Sequence, residues 1–380
     1  MRRWLAFLTA AALLALCACG TGTTGTGAPG TAASGGGAPA ADSAEPVSAE
    51  VFAMDTYMTL SVYQGDGDAA AALQEAEELI RTIESEVSVT SERSALYAVN
   101  RDGGGTVPPE AAALLRRALE LCALTGGALD ITLYPLSLAW GFTTPDEDYR
   151  VPEPETLRAL LELVGYQRVG LTPAAGGAAR VTLEPGMMLD LGAVAKGWTG
   201  DQVRARLLRL LGEDASALLE LGGNIQAVGA KPDGSAWRVG VRDPEGNGIA
   251  AILTVRDCAV ITSGGYERYF VSEGRRYWHI LDPKTGEPAD SGLKSATIVG
   301  AEGALCDALS TALFVMGPER AAQFWRETRG FDFLLLGEDG SVTISEGLEG
   351  RCTLAGNWAD APLTVVKSAQ DAASPPGSGA

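Results

Sequence analysis

The sequence has a single histidine, His279, among 380 residues. No other side chain titrates near neutral pH unperturbed, so ordinary proton transfer there has one candidate. Positive charge is also scarce: 29 Lys and Arg stand against 48 Asp and Glu, a formal net charge of −19. That balance argues against nucleic acid as a partner, because neutralising phosphates needs a basic surface. It argues equally against polybasic attachment to anionic lipid. Of six cysteines, two lie in the first twenty residues, and Cys122, Cys258, Cys306 and Cys352 remain. They lack the close spacing of a zinc site and the density of a disulfide framework, and their pairing stays open.

Only one long apolar run exists, from Trp4 to Leu16, after Arg2 and Arg3. It is too short to span a bilayer and has the form of a secretory signal, expected over residues 1–18. Leu16-Cys17-Ala18-Cys19-Gly20 resembles the bacterial lipobox, which makes Cys19 the expected lipidated residue and the membrane anchor. Residues 19–46 are Gly, Thr, Ala, Ser and Pro, a composition expected to stay disordered. Such a tether has a reach of about 25 to 30 Å. Its Gly20-Thr21-Gly22-Thr23-Thr24-Gly25 matches the dinucleotide-binding glycine pattern but lacks the flanking strand and helix that pattern requires. The tail, 367–380, is expected to be loose. A globular domain is left over residues 47–366.

Apolar periodicity predicts a helix over residues 68–87, where Ala72, Leu73, Ala76, Leu79, Ile80 and Ile83 form a stripe. A second is expected over 108–124, opened by a Pro pair and closed by Gly126-Gly127. Others are expected near 153–164, 195–211, 302–316 and 319–328. Short β-branched or alternating segments predict strands at 59–63, 187–191, 217–221, 237–241, 252–255, 260–262, 294–299 and 331–336. Several strands follow one another without helices between them. This order favours an α+β fold, a mainly antiparallel or mixed sheet with flanking helices, over a doubly wound parallel one.

Four segments bear chemistry. Asp190-Leu191-Gly192-Ala193-Val194-Ala195-Lys196 runs through small residues into a helix start, where unpaired amides and the positive dipole end suit phosphate oxygens. A tight connection with a solvated lysine reads equally well, and the spacing is not that of a P-loop. Asp307 and Thr311 lie four apart on one helix face and can share a hard cation such as magnesium; alternatively Thr311 bonds back to its own helix and Asp307 faces water. Ser263 and Tyr266 belong either to a loop where backbone approaches a ligand or to a hairpin. Ala128-Leu129-Asp130 with Trp140-Gly141-Phe142 either walls a flat aromatic ligand or is core.

In chain order, Met54-Asp55-Thr56, Leu129 to Thr132, Asp190 to Gly197, Gly222-Gly223-Asn224, Thr262-Ser263-Gly264, Tyr266 and Asp307 with Ser310-Thr311 accompany His279-Ile280-Leu281-Asp282-Pro283-Lys284-Thr285-Gly286. The set resembles the ApbE family, the FAD:protein FMN transferases, whose most diagnostic part is the histidine motif. Many members are bacterial lipoproteins, in keeping with Cys19. The resemblance implies two lobes around a central FAD cleft. It implies magnesium-dependent transfer of the FMN half of FAD, through a phosphoester, to a Ser or Thr hydroxyl of an acceptor flavoprotein, with AMP released. Asp307, Thr311 and the Ala193 carbonyl would hold the ion. FAD would contact Met54, Ala128, Leu129, Asp130, Asp190, Lys196, Ser263, Tyr266 and Ile280, and His279 would be catalytic. One position departs: where relatives carry a tyrosine four residues before the serine matching Ser94, this chain has Thr90.

The same residues would serve a magnesium-dependent FAD pyrophosphatase, with water replacing the hydroxyl. A third reading is a tethered lipoprotein that binds FAD without turnover, although a base and an ion site together have no evident use in binding. The expected location is extracytoplasmic, on the outer face of the cytoplasmic membrane or in the periplasm.

Overall fold

The computed structural model describes residues 45–143 and 148–368. The expected signal segment, Cys19, the tether as far as residue 44 and the tail from 369 lie outside the described residues. The described residues make one compact unit, so the two lobes implied by the resemblance are parts of a single body. Its centre is a nine-stranded sheet in the order Val47–Ala53, Thr56–Gln64, Ser216–Leu221, Asn224–Val228, Ala259–Gly264, Leu293–Gly300, Phe331–Gly337, Val342–Ser345 and Leu363–Val366. Every pairing is antiparallel except the last, which is parallel. The α+β expectation of a mainly antiparallel sheet is met.

Alternation along the strands divides the core. Ala296, Ile298, Phe333 and Leu335 face helices Gly303–Met316 and Pro318–Thr328, while Val299, Leu334 and Leu336 face the strands Trp237–Arg242 and Ile249–Val255. The first strands pack on helices Ala69–Val87 and Gly192–Leu211. Asp68 caps the former by accepting from the amides of Ala70 and Ala71, which fixes its start where the apolar stripe predicts it.

Helices Gly192–Leu211 and Gly303–Met316 cross at Gly197 and Gly303. A Cβ on Gly197 would lie 2.1 Å from the Gly303 oxygen, and one on Gly303 would lie 2.5 Å from the Gly197 oxygen. Two glycines are what let these backbones touch.

One strand expectation fails. Residues 187–191 are not a strand, although Met187, Leu189 and Leu191 are buried in strand-like alternation. Their partners are not strands: the Asn100 side-chain amide accepts from Leu189 N at 2.7 Å and donates to Leu189 O at 2.8 Å, and Asp190 N donates to Ile131 O at 2.8 Å. Side-chain and loop groups satisfy the backbone that a ladder would otherwise satisfy. The following helix begins three residues before the expected Ala195, at Gly192. Lys367 and Ser368, assigned to the loose tail, are held by Glu349 and Glu346.

Candidate active site

The first turns of helix Gly192–Leu211 are the joint between two groups of polar side chains. In the first, Asp307 Oδ2 accepts from Gly197 N at 2.8 Å and Oδ1 from Asn224 Nδ2 at 3.0 Å. The Gly197 amide is the one an unbroken helix returns to the Ala193 carbonyl, and here it donates to the Asp307 carboxylate. Asp307 is 5 % exposed and has no ion-pair partner among the described residues. A buried carboxylate needs charge compensation or strong hydrogen bonding, and this one keeps lone pairs for a cation. Thr311, one turn on, places its hydroxyl 3.3 Å from Ser263 Oγ, which lies 2.7 Å from Ser310 Oγ. Ser310 donates to the Asp307 carbonyl at 2.8 Å. All of these donors are oxygen, the set that suits magnesium. The alternative in which Asp307 faces water is excluded by its burial.

The second group is Asp190, Lys196, Arg268 and His279. Burial pushes the Asp190 carboxyl up, against the Gly192 amide bonded to Oδ1 at 2.8 Å and the nearby charges of Arg268 and Lys196. His279 is pushed down to about 4, first by loss of solvation and then by the same two cations. The residue is partly exposed, but enough protein surrounds it for desolvation to dominate. Its Nδ1 lies 3.2 Å from the Arg268 carbonyl, which also accepts from His279 N at 3.1 Å. A carbonyl can only accept, so Nδ1 carries the proton and Nε2 presents a lone pair. Neither Asp282, which accepts from Lys284 N at 2.9 Å, nor Ser263 sets this tautomer.

Other expected site residues distribute unevenly. Met54 sits at the hairpin turn between the first two strands, with φ of 52° there and 58° at Asp55. Its amide donates to Glu84 at 2.6 Å, and its sulfur lies 3.9 Å from the Thr199 hydroxyl of the site helix. Gly222 abuts this turn, since a Cβ there would lie 2.3 Å from Thr56 Oγ1, and this seats Asn224 against Asp307. Ala128, Leu129 and Asp130 are buried, and the Asp130 oxygens are taken by Thr132 and by Tyr166 N. The Asp130 carboxylate therefore holds its own loop. Ile280 is 4 % exposed, and its carbonyl accepts from Ala289. Tyr266 is not brought to the site: it packs on Gly264, on the face opposite Ser263, with the Arg242 guanidinium 5.5 Å from its ring centre. Trp140 and Phe142 are core, the former donating to Gly286 O at 2.8 Å. Thr90 is exposed, and Ser94 caps the helix Ala95–Asp102.

Three contributors were given no role by sequence reasoning. Asn224 follows a Gly-Gly turn, a signal for close approach. Arg268 follows Gly264-Gly265, and Asp201 on the site helix accepts from Gly303 N and Ala304 N at 2.7 and 2.9 Å, capping the helix that carries Asp307. The four cysteines are all free thiols.

Residues 54–335 match the profile of the ApbE family. Over 299 residues the chain is 38% identical to an FAD:protein FMN transferase of Treponema pallidum, covering 74% of this chain and 81% of that one. An enzyme of the same description from Haemophilus influenzae is 30% identical over 295 residues, covering 74% and 85%. The crystal structure of the ApbE protein of Thermotoga maritima superposes with a TM-score of 0.75 at 33% identity, covering 81% of this chain and 99% of that one. The apo flavinyl transferase ApbE of Pseudomonas stutzeri gives 0.70 at 28%, covering 81% and 96%. The match spans every segment of the site just described, and the chain belongs to the ApbE family.

Proposed function

We propose that the protein transfers FMN from FAD to a Ser or Thr hydroxyl of an acceptor flavoprotein, with magnesium, releasing AMP. The observation that carries this reading is the His279 imidazole, neutral and with Nε2 as its free lone pair, beside two cations at a helix start. Splitting a pyrophosphate by a hydroxyl needs a proton acceptor and charge neutralisation more than covalent help. His279 Nε2 takes the hydroxyl proton as the acceptor Oγ–P bond forms and the P–O bond to the AMP phosphate breaks. A positioned base of this kind is worth about 10² to 10⁴ in rate. Lys196 and Arg268 offset the phosphate charge, and the amides of the helix start orient its oxygens.

Asp307, the Thr311 hydroxyl and the Ala193 carbonyl would hold magnesium, which when bound supplies Lewis acidity to phosphate oxygens. Met54, Asp190, Lys196, Ser263 and the backbone beside Ile280 are the FAD contacts this reading retains. The location follows from Cys19: a lipid anchor outside the cytoplasm, tested by labelling with a palmitate analogue and its loss in Cys19→Ala.

One incubation decides between activities. With FAD, magnesium and an acceptor protein, covalent flavin fluorescence on the acceptor supports transfer. FMN appearing in solution with none on the acceptor would make the protein a pyrophosphatase, and intact FAD would make it a binder.

A further inference from the structure

His279 stands one step beyond a two-stranded ladder, Tyr269–Ser272 paired with Arg275–Trp278, and its opposite number there is Arg268. Side chains alternate along such a ribbon, so His279 falls on the face of Tyr277 and Phe270, while Trp278 packs the other way onto Phe314 at 6.2 Å. The face that carries His279 rests on Trp140-Gly141-Phe142. The Phe142 ring is 4% exposed, too buried to wall a ligand, and meets the His279 ring edge-on, with centres 6.4 Å apart and planes at 71°. Its carbonyl accepts from Arg268 Nη1 at 3.1 Å. Phe142 thus touches both members of the pair, the imidazole with its ring and the guanidinium with its backbone.

The position of Phe142 is itself tightly specified. Helix Tyr134–Trp140 ends at Gly141, with φ of 84°, where a Cβ would lie 2.1 Å from the Asp148 oxygen. Phe142 N then donates to Ser137 O at 3.0 Å, and Trp140 and Phe270 pack its ring, with centres at 6.3 and 5.8 Å. Trp140 donates to Gly286 O at 2.8 Å, so the two aromatic residues hold the segment His279 to Gly286 at both ends.

We propose that Phe142 is a positioning residue for FMN transfer: its ring fixes the plane of the His279 imidazole and keeps water from it, and its carbonyl holds Arg268 alongside. The inference rests on the reading of His279 as the base. Loss of solvation is the largest cause of the low proton affinity of His279, and the Phe142 ring is apolar surface set directly against it. The charged groups acting on the imidazole are Arg268 from its own ribbon and Lys196 from helix Gly192–Leu211, and the same two act on Asp190. Any residue at 142 keeps a carbonyl for Arg268, so a side-chain substitution there changes water access and leaves these charges in place.

The single histidine makes the test direct, because one imidazole Cε1–H resonance in the NMR spectrum reports this ring alone. It should titrate near 4 in the unaltered protein. In Phe142→Leu, which keeps an apolar side chain, it should titrate at about 5 or above, and the acid limb of kcat/KM for FMN transfer should rise with it. Phe333→Leu, at a fully buried ring packed on Trp325, should lose comparable stability in urea yet leave the resonance and the acid limb where they are. FAD affinity, read by flavin fluorescence, should be unchanged in both variants. Equal titration in the unaltered protein and Phe142→Leu, an equal shift in Phe333→Leu, or weakened FAD binding in Phe142→Leu overturns the positioning role and leaves His279 free to be the base. A resonance that moves while the acid limb stays put defeats the reading of His279 as base, and the positioning role with it.

Discussion

The Gly197 amide donates a 2.8 Å hydrogen bond to Asp307, and only glycine can stand there, because a Cβ at position 197 would lie 2.1 Å from the Gly303 oxygen and 2.7 Å from the Asp307 Cβ. Helix packing and the aim of the carboxylate are thus one feature. Any side chain at 197 pushes the helices apart and turns Asp307 away from the Gly197 amide and Asn224.

Gly197→Ala should therefore lose both stability and activity. Overpacking of this kind costs about 1 to 3 kcal/mol. Urea unfolding measures the first effect and FMN transfer the second. Gly248→Ala, where an added Cβ meets open space, is the control and should leave both unchanged. Wild-type stability in Gly197→Ala would mean that the helix crossing does not depend on this contact.

Asp307→Asn and Thr311→Val should separate. Both Asp307 oxygens accept from N–H groups, so an amide must turn a donor toward Gly197 or Asn224, at about 1 to 3 kcal/mol. Thr311→Val keeps the shape and removes one hydroxyl, leaving stability near wild type. Both variants should need more magnesium for half-maximal transfer. If Thr311→Val had an unaltered magnesium dependence, its hydroxyl would not be a ligand.

His279→Ala should lower transfer by about 10² to 10⁴ while FAD still binds, as fluorescence quenching would show. In wild type the acid limb of kcat/KM against pH should lie near 4 rather than 6.5, since the ring is neutral down to that value. An acid limb at 6.5 would mean that the free enzyme does not desolvate this ring.

Much of this was legible in the sequence, for reasons that differ by residue. Asp68 and the stripe from Ala72 to Ile83 fix a helix by local chemistry, and the reading holds to within one residue. Asp307 and Thr311 share a face because helical geometry alone dictates it. Residues 187–191 misled because alternating burial is common to strands and to extended loops, and only the distant Asn100 shows which is present. The first strand, Val47–Ala53, went unseen until its turn at Met54-Asp55 and its partner Thr56–Gln64 were in place. Tyr266 lay in the right segment but on the wrong face, a matter of strand register. Asn224 is marked by the Gly-Gly turn before it, but its partner Asp307 is distant in sequence, and Asp201 acts across a long separation with no local pattern to mark it.

Two titrations should oppose each other in the pH dependence of stability. His279 falls from 6.5 to about 4 on folding, so its contribution is present above 6.5 and is lost as pH falls through about 4. Asp201, held mainly by burial, rises from 3.8 to about 6, so its contribution is present below 3.8 and is lost as pH rises through about 6. Removing either group should expose the other. Relative to wild type, His279→Ala should gain stability as pH falls across this window, because its cost of staying neutral is gone. Asp201→Asn keeps a helix cap for Gly303 and Ala304, and should gain relative to wild type as pH rises. Urea unfolding at a series of pH values between 3.8 and 6.5 measures both differences. Slopes of the same sign for the two variants would show that one of these groups keeps its ordinary affinity for the proton in the folded chain.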